Sequence, residues 1–197
     1  MNRPRRIGIY GGTFDPIHRI HIHIGRTALE SIPLDEVLFV VAAHPPHKRR
    51  ETLTPVAERF AMVEAALKDE PGLSPSSIEI DRHGPSYTAD TLETIHALHP
   101  ESELYLILGE DSVEDFPGWH APDRILQLAR LVVAGRPGFR TPTEALHTPV
   151  VELPVEESGL SSTALREAIT RGDDVRHWLP EPVLRHIREK ELYRAHR

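Results

Sequence analysis

Residues 6–21 of the 197-residue chain read RIGIYGGTFDPIHRIH, and this stretch decides the fold. Its first five residues form a short, mostly apolar run, typical of a strand that is covered on both faces of a parallel sheet. A glycine pair ends the run, and Ile17, Ile20 and Ile24 then recur at helical spacing. Residues 20–24 also alternate like a strand, but a parallel topology needs a crossover helix at this point. The stretch therefore predicts a strand, a glycine turn and a helix.

Short apolar runs and helical periods alternate along the rest of the chain. The predicted strands are residues 6–10, 37–42, 77–81, 104–108, 131–134 and 150–153. The predicted helices after the first are residues 55–68, 88–98, 161–171 and 182–191. Such alternation is typical of crossover units. We expect an α/β fold, in which helices cover both faces of a mostly parallel sheet and further helices close the C-terminal end.

Length and composition limit the class of protein. A hydrophobic content of 39% suits a single domain over residues 1–197. The longest apolar run, residues 37–43, is far shorter than the roughly 20 residues that cross a bilayer. The basic start of the chain also lacks the apolar region of a secretory signal. We therefore expect a cytoplasmic protein without a membrane partner.

Cysteine usage and net charge exclude further classes. The chain has no cysteine, which excludes disulfides, thiolate metal sites and a thiol nucleophile. The net charge of -7 argues against a nucleic-acid partner, because proteins that track phosphates carry a basic field. Small anionic ligands stay open, since a local basic cluster can bind a few phosphates within an acidic protein. Whether the chain forms a homo-oligomer also stays open.

The glycine pair and the histidines that follow it indicate a phosphate site. Gly11 and Gly12 let backbone amides approach an anion at the end of the strand, where ligands gather in open α/β sheets. His18 and His21 are three residues apart, which places both on one helix face near its positive end. Proton-donating side chains oppose the helix dipole there, and a bound polyphosphate would account for them. The glycine pair alone would indicate no more than a turn.

Zinc is the alternative ligand of this histidine cluster, because imidazole binds zinc readily. On a helix, however, His21 and His23 point about 200° apart, so at most two of the three histidines could share one ion. The nearby sequence shows no carboxylate pattern that would complete a ligand set. The pattern therefore favours a phosphate over a bound metal.

Residues 161–166, SSTALR, repeat the same theme near the end of the chain. One hydroxyl would cap the start of a helix, but three in a row exceed what capping needs. Arg166 falls in the first helical turn, where a cation is unfavourable, and its planar guanidinium matches phosphate oxygens. Together the two motifs predict one triphosphate held between two helix starts.

These motifs resemble the two signatures of the nucleotidyltransferase superfamily, which end His-x-Gly-His and read Ile-Ser-Ser-Thr-x-Ile-Arg within a Rossmann-like sheet. Residues 45–48 (PPHK), 84–92 (GPSYTADTL) and 109–111 (GED), followed by Trp119, resemble bacterial nicotinate-nucleotide adenylyltransferase specifically. The resemblance runs nearly end to end. It implies that the adenylyl group of ATP is transferred to nicotinate mononucleotide, giving nicotinate adenine dinucleotide and pyrophosphate in NAD biosynthesis. It also implies Mg²⁺, carried largely by the phosphates of ATP.

The resemblance implies a role for each matching residue. The catalytic residues would be His18, His21 and Arg166, which act on the reacting phosphates. The ATP-binding residues would be Gly11, Gly12, Thr13, Phe14, Gly109, Asp111, Ser162 and Thr163. The residues for nicotinate mononucleotide would be Lys48, Tyr87, Thr88 and Trp119. Among these, Tyr87 and Thr88 would hold the carboxylate and Trp119 would stack on the pyridine ring.

Ordinary structural roles compete with some of these assignments. Without the resemblance, Thr88 would be read as a helix cap and Trp119 as a core residue. Arg59 is a weaker candidate for a phosphate contact. The structure has to separate these alternatives.

The chain departs from the signature at Ile20, which stands where the family has the glycine between its histidines. This β-branched side chain would either narrow the approach of ATP or turn inward with Ile17 and Ile24. The alternative functions are a relative that uses another phosphorylated acceptor, a non-catalytic nucleotide or metal binder, and a Rossmann dehydrogenase. The dehydrogenase is disfavoured because no Gly-x-Gly-x-x-Gly follows the first strand.

Overall fold

Six parallel strands form the sheet. The computed structural model describes residues 3–46, 53–135, 146, 148–155 and 160–194. Its strands are β1 Arg6–Gly12, β2 Glu36–Val41, β3 Leu73–Ser76, β4 Glu103–Gly109, β5 Ala129–Gly135 and β6 Val150–Pro154. Their order is β3-β2-β1-β4-β5-β6, and every neighbouring pair is parallel. At the centre of the sheet, Ile9 pairs with Leu38 of β2 and with Leu106 of β4.

Helices connect and follow these strands. They are α1 Arg19–Ser31, α2 Val56–Leu67, α3 Thr88–Leu98, α4 Glu110–Asp115, α5 Pro122–Leu128, α6 Ser162–Arg171 and α7 Glu181–Glu189, with a short 3-10 helix at Phe116–Gly118. The ambiguous isoleucine segment is helical, as predicted, and Ile22 and Ile24 of α1 are buried. Among the described helices, none is long and apolar enough to cross a membrane.

Each face of the sheet has its own apolar core. Successive residues of β4 point to opposite faces, so Tyr105 and Ile107 join the first core while Leu106 joins the second. The helices α1, α2, α6 and α7 cover the first core, and α3, α4 and α5 cover the second. The predicted α/β fold, with helices on both faces and at the C-terminal end, is confirmed.

One predicted strand is wrong. The strand lies at Leu73–Ser76, whereas residues 77–81 form a turn in which the amides of Ile80 and Asp81 donate to the Ser77 carbonyl at 2.7 and 2.9 Å. The Ser77 hydroxyl also donates to the Asp81 carboxylate at 2.7 Å, which closes the turn. Isoleucines at alternate positions in this turn imitate a strand. The helices α4 and α5 were not predicted, because they are only six and seven residues long and such short segments show little helical periodicity.

The strand order reverses between β1 and β4. The chain leaves β1 towards β2 on one side and leaves β4 towards β5 on the other, so the loops after β1 and β4 diverge. Ligands of open α/β sheets bind in the crevice that such a reversal creates at the carboxyl ends of the strands. Gly12 ends β1 and Gly109 ends β4, so both predicted glycine segments flank this crevice.

A buried arginine ties together the loops at this edge of the sheet. Arg59 of α2 is 1% exposed, and its guanidinium donates to the carbonyls of Thr13 at 2.7 Å, Ala42 at 2.8 Å and Thr54 at 3.0 Å. Because Thr13 follows β1 and Ala42 follows β2, one side chain holds the ends of two neighbouring strands. Arg59 therefore holds in place the loops that carry the site. This structural role replaces the phosphate contact that was considered for it above.

We expect Arg59→Met to lower the free energy of unfolding by about 2 kcal/mol or more, because three carbonyls would lose a charged donor while most of the apolar volume stays. Urea unfolding followed by circular dichroism measures this change. Arg185→Met, at an exposed position of α7, is the matched control and should change stability by less than about 0.5 kcal/mol. An equally small change for Arg59→Met would contradict the tying role.

Candidate active site

A cavity of about 240 Å³ opens at the carboxyl ends of β1, β2 and β4. Residues 11–13 of the glycine turn form one part of its wall. Tyr87 and Thr88 at the start of α3, together with the ring of Trp119, form another part. The cavity therefore brings residues predicted for ATP together with residues predicted for nicotinate mononucleotide.

An aromatic ring shapes the glycine turn. A Cβ atom at Gly12 would lie 2.9 Å from the Phe14 ring, whereas a Cβ atom at Gly11 would meet open space. Phe14 is buried, has a positive φ of 48°, and packs edge-on against His21 with 5.1 Å between ring centroids. The Phe14 side chain is thus part of the core, which leaves its backbone amide as the group that can face an anion.

The structure brings the two predicted histidines together at the start of α1. Their rings stack with 3.6 Å between centroids, and the His18 amide donates to Nδ1 of His21 at 3.2 Å. His18 precedes the first helical residue and is 3% exposed, and this burial lowers the pKa of its imidazole to about 4. At neutral pH, His18 is therefore uncharged and can act towards a phosphate as an N–H donor.

The second motif docks on the loop that precedes α1. The Ser162 hydroxyl donates to the Pro16 carbonyl at 3.2 Å, and Nη1 of Arg166 donates to the Asp15 carbonyl at 2.8 Å. Arg166 also donates to the Thr163 hydroxyl at 3.2 Å. The start of α6 is thereby fixed beside the start of α1. The two motifs that predicted one phosphate site do meet in space.

A buried carboxylate, which sequence reasoning missed, holds the same loop. Asp15 accepts a hydrogen bond from the Tyr193 hydroxyl at 2.7 Å and another from the Thr54 amide at 3.2 Å. The Thr170 hydroxyl of α6 donates to the Tyr193 carbonyl at 2.8 Å. Burial, and then the charge of Asp15, raise the pKa of the Tyr193 hydroxyl above its usual range. The sequence offered no local signal for this contact, because its partners are 178 residues apart.

The ordinary structural roles can now be separated. Ser161 is the cap of α6, since its hydroxyl accepts from the Ala164 amide at 3.1 Å. Thr88 is not a cap, because it is the first residue of α3 and Tyr87 precedes the helix. Trp119 is half-buried against Phe116, with 5.5 Å between ring centroids, and still lines the cavity. Core packing and ligand contact are therefore compatible for Trp119.

Some predicted residues lie beside the cavity or outside the described structure. Gly109 precedes α4, and Asp111 is exposed in the first turn of that helix, where Ser112 is the residue that lines the cavity. Ile20 packs against the first core and is not among the described residues of the cavity wall, so it turns inward. Lys48 falls outside the described residues.

Five polar residues of the cavity wall were missed by the sequence analysis: Glu79, Ser86, Thr91, Ser112 and His120. The His120 ring stacks on Tyr87 with 4.3 Å between centroids. The Ser86 hydroxyl accepts from the His44 amide at 2.9 Å, which joins the loop after β2 to the loop before α3. Glu79 lies in the turn that was predicted to be a strand, and this error hid its position.

In the part of the chain that the structure describes, no group of three or more His, Asp or Glu side chains could hold a metal ion. His23 is exposed and does not complete such a group with His18 and His21. The stacked histidines, the start of α6 and the glycine turn together form an arrangement suited to an anion.

The fold and the site define a class of protein. A parallel sheet with this strand order, a crevice at the reversal between β1 and β4, and a glycine turn in that crevice are the architecture of nucleotide-binding α/β proteins. The family model described as Cytidylyltransferase-like matches residues 9–168.

Relatives identify the particular family. A protein of Geobacillus thermodenitrificans named "Probable nicotinate-nucleotide adenylyltransferase" is 40% identical over 190 residues, which cover 96% of this chain and 87% of that protein. A protein of the same name from Thermus thermophilus is 43% identical over 189 residues, which cover 96% of this chain and all of that protein (100%). The chain belongs to the cytidylyltransferase-like family and, within it, to the nicotinate-nucleotide adenylyltransferases.

A solved structure shows the same fold. Plasmodium falciparum nicotinic acid mononucleotide adenylyltransferase, complexed with NaAD, aligns with a TM-score of 0.80 over 96% of this chain and 97% of that chain. The sequence identity is 21%, so this likeness concerns the architecture. It agrees with the parallel sheet described above.

The burial of His18 predicts that stability falls on acidification. The imidazole pKa is 6.5 in the unfolded chain and about 4 in the folded protein, so below pH 6.5 the unfolded chain takes up the proton first. The free energy of unfolding should therefore fall as the pH drops towards 4, by up to about 3 kcal/mol.

Urea unfolding at about pH 7 and about pH 4.5 measures this loss in wild type, His18→Gln and His23→Gln. His18→Gln should lose clearly less stability than wild type between these pH values, since it has no buried imidazole to protonate. His23→Gln, on the exposed side of the same helix, should behave like wild type. An identical pH dependence of wild type and His18→Gln would show that the buried imidazole does not control acid stability.

Proposed function

We propose that the protein transfers the adenylyl group of ATP to nicotinate mononucleotide, giving nicotinate adenine dinucleotide and pyrophosphate in NAD biosynthesis. The observation that best supports this proposal is a single cavity, which is lined by the glycine turn after β1, by the start of α3 and by Trp119. Phosphates suit the glycine turn, whereas a flat ring with a carboxylate suits Trp119 and the helix start. The names of the relatives agree with this reaction.

The ATP side of the site would surround a triphosphate. Backbone amides of residues 11–14 would face its oxygens, and Ser162, Thr163 and Arg166 would hold its β- and γ-phosphates from the start of α6. Arg166 is already oriented by its bond to the Asp15 carbonyl. Gly109 and Asp111, at the end of β4, would contact the adenosine part, since a carboxylate there can accept from ribose hydroxyls.

The reaction needs no covalent enzyme intermediate. A phosphate oxygen of nicotinate mononucleotide attacks the α-phosphorus of ATP in line, a P–O bond forms, and the bond to the β-phosphate oxygen breaks as pyrophosphate leaves. The nucleophile is already an anion, so a general base is unnecessary. His18, His21 and Arg166 would align the phosphates and stabilise the charge that develops on them.

Transfer of phosphoryl and nucleotidyl groups from ATP generally uses a divalent metal ion, and we propose Mg²⁺. No set of three His, Asp or Glu ligands is gathered among the described residues. The ion would arrive with the phosphates of ATP and would neutralise charge on the triphosphate.

The start of α3 would select the acid over the amide. The first amides of a helix have no intrahelical partner and favour an anion, and the Thr88 hydroxyl adds a donor. A neutral carboxamide would leave part of this donor set unpaired. Tyr87 and Thr88 would therefore hold the carboxylate, Trp119 would stack on the pyridine ring, and Lys48 would support a substrate phosphate.

We further propose that residues 1–197 form one nucleotidyltransferase domain whose ligands are these nucleotides, without a nucleic-acid or membrane partner. That the protein is cytoplasmic, and that it can form a homo-oligomer, stay predictions.

Pyrophosphate release tests this function, measured with ATP, Mg²⁺ and either nicotinate mononucleotide or its amide counterpart. Rapid release with the acid and little release with the amide are expected. Thr88→Val should lower kcat/KM for the acid by about tenfold and affect the amide less. Thr94→Val, which removes a hydroxyl bonded to the Asp90 carbonyl on the same helix, is the control and should change neither. No release with either acceptor while ATP still binds would point to a different acceptor.

A further inference from the structure

Glu79 places a buried carboxylate in the wall of the cavity. Glu79 is 7% exposed, and it lines the cavity together with residues of the glycine turn and of α3. Oε1 accepts a hydrogen bond from the Thr91 hydroxyl of α3 at 2.6 Å. Oε2 is buried and has no hydrogen-bond partner within the described part of the chain. The protein therefore donates a hydrogen bond to Oε1 of Glu79, whereas Oε2 receives none from the described residues.

This unpaired oxygen is unfavourable in the ligand-free protein. A buried acceptor without a donor costs free energy, and more so when it carries charge. The described residues of the cavity wall include no Lys or Arg that would offset the charge. Arg82, three residues further along, donates instead at long range to the carbonyls of Pro85 and Tyr87, at 3.4 and 3.5 Å. Nη1 of Arg82 is likewise buried and has no hydrogen-bond partner in the described part of the chain. No Lys or Arg of the described cavity wall therefore offsets the charge of Glu79.

Aromatic side chains line the same cavity. Trp119 and Tyr87 both line the cavity, and one face of the Tyr87 ring stacks on His120 with 4.3 Å between centroids. The free face of an aromatic ring attracts a cation. The start of α3, in contrast, attracts an anion. One part of the cavity is therefore suited to a flat cation and an adjoining part to a carboxylate.

We propose that Glu79 is the countercharge of the pyridinium ring of the mononucleotide, and hence a further substrate-binding residue. This inference rests on the proposed function. The ring nitrogen of nicotinate mononucleotide is bonded to ribose and carries a positive charge, while the carboxyl group carries a negative one. The carboxylate of Glu79 and the ring faces of Trp119 and Tyr87 match the cation, and the start of α3 matches the anion.

The charge of the ring can be changed without changing the rest of the substrate. The 1,4-dihydro form of nicotinate mononucleotide keeps the phosphate, ribose and carboxylate but has a neutral ring. Pyrophosphate release with ATP and Mg²⁺ should give wild type a kcat/KM that is about tenfold higher for the oxidised than for the dihydro form. Glu79→Gln keeps the shape of the side chain and an oxygen for Thr91 while removing the charge.

We expect Glu79→Gln to lower kcat/KM for the oxidised form by about tenfold, mainly through KM, and to leave the dihydro form within about twofold. Asp81→Asn removes an exposed carboxylate from the same turn and should preserve the preference of wild type. A residue that only supports the fold would lower both forms equally when replaced. Equal losses for both forms, or no loss at all in Glu79→Gln, would overturn the inference while the proposed function stands. A wild type that releases no pyrophosphate with either form would overturn both.

Discussion

The site depends on the hydrogen bonds that hold residues 13–16 between β1 and α1. The carbonyls of Thr13, Asp15 and Pro16 accept from Arg59, Arg166 and Ser162, respectively. These donors come from α2 and α6, and the last two are 151 and 146 residues away from their partners. Because backbone carbonyls accept these bonds, the loop can present its amides to a ligand on its other side. These bonds hold the start of α6 beside the glycine turn and the histidine pair.

The charges around the loop differ in chemistry from those of the cavity wall. Around the loop are helix starts, N–H donors and Arg166, which suit phosphates, and neither His18 nor Arg166 is among the described residues of the cavity wall. His18 takes part as a neutral imidazole because burial lowers its pKa to about 4. In the cavity wall, the carboxylate of Glu79 and the ring of Trp119 adjoin the start of α3. The two substrates of the proposed reaction would thus be recognised by opposite features of one crevice.

Sequence reasoning predicted the features that repeat locally and missed those that arise from tertiary contact. The central strands are unbroken apolar runs and the long helices have clear periods, so the sheet and both helix layers were predictable. β3 was misplaced because its segment contains Pro75, while alternating Ile78 and Ile80 follow in a turn. Both phosphate motifs could be recognised because proton-donating side chains stand at helix starts, where they oppose the helix dipole unless a ligand is bound. Buried polar residues such as Arg59 and Glu79 were not, because their partners are set by the fold.

A crystal structure of the protein with a non-hydrolysable ATP analogue and Mg²⁺ measures most directly whether the two motifs form one phosphate site. The triphosphate should lie between the glycine turn and the start of α6, with His18 and Arg166 within hydrogen-bond distance of its oxygens. A triphosphate bound away from this crevice, with α6 still docked on residues 13–16, would contradict the account.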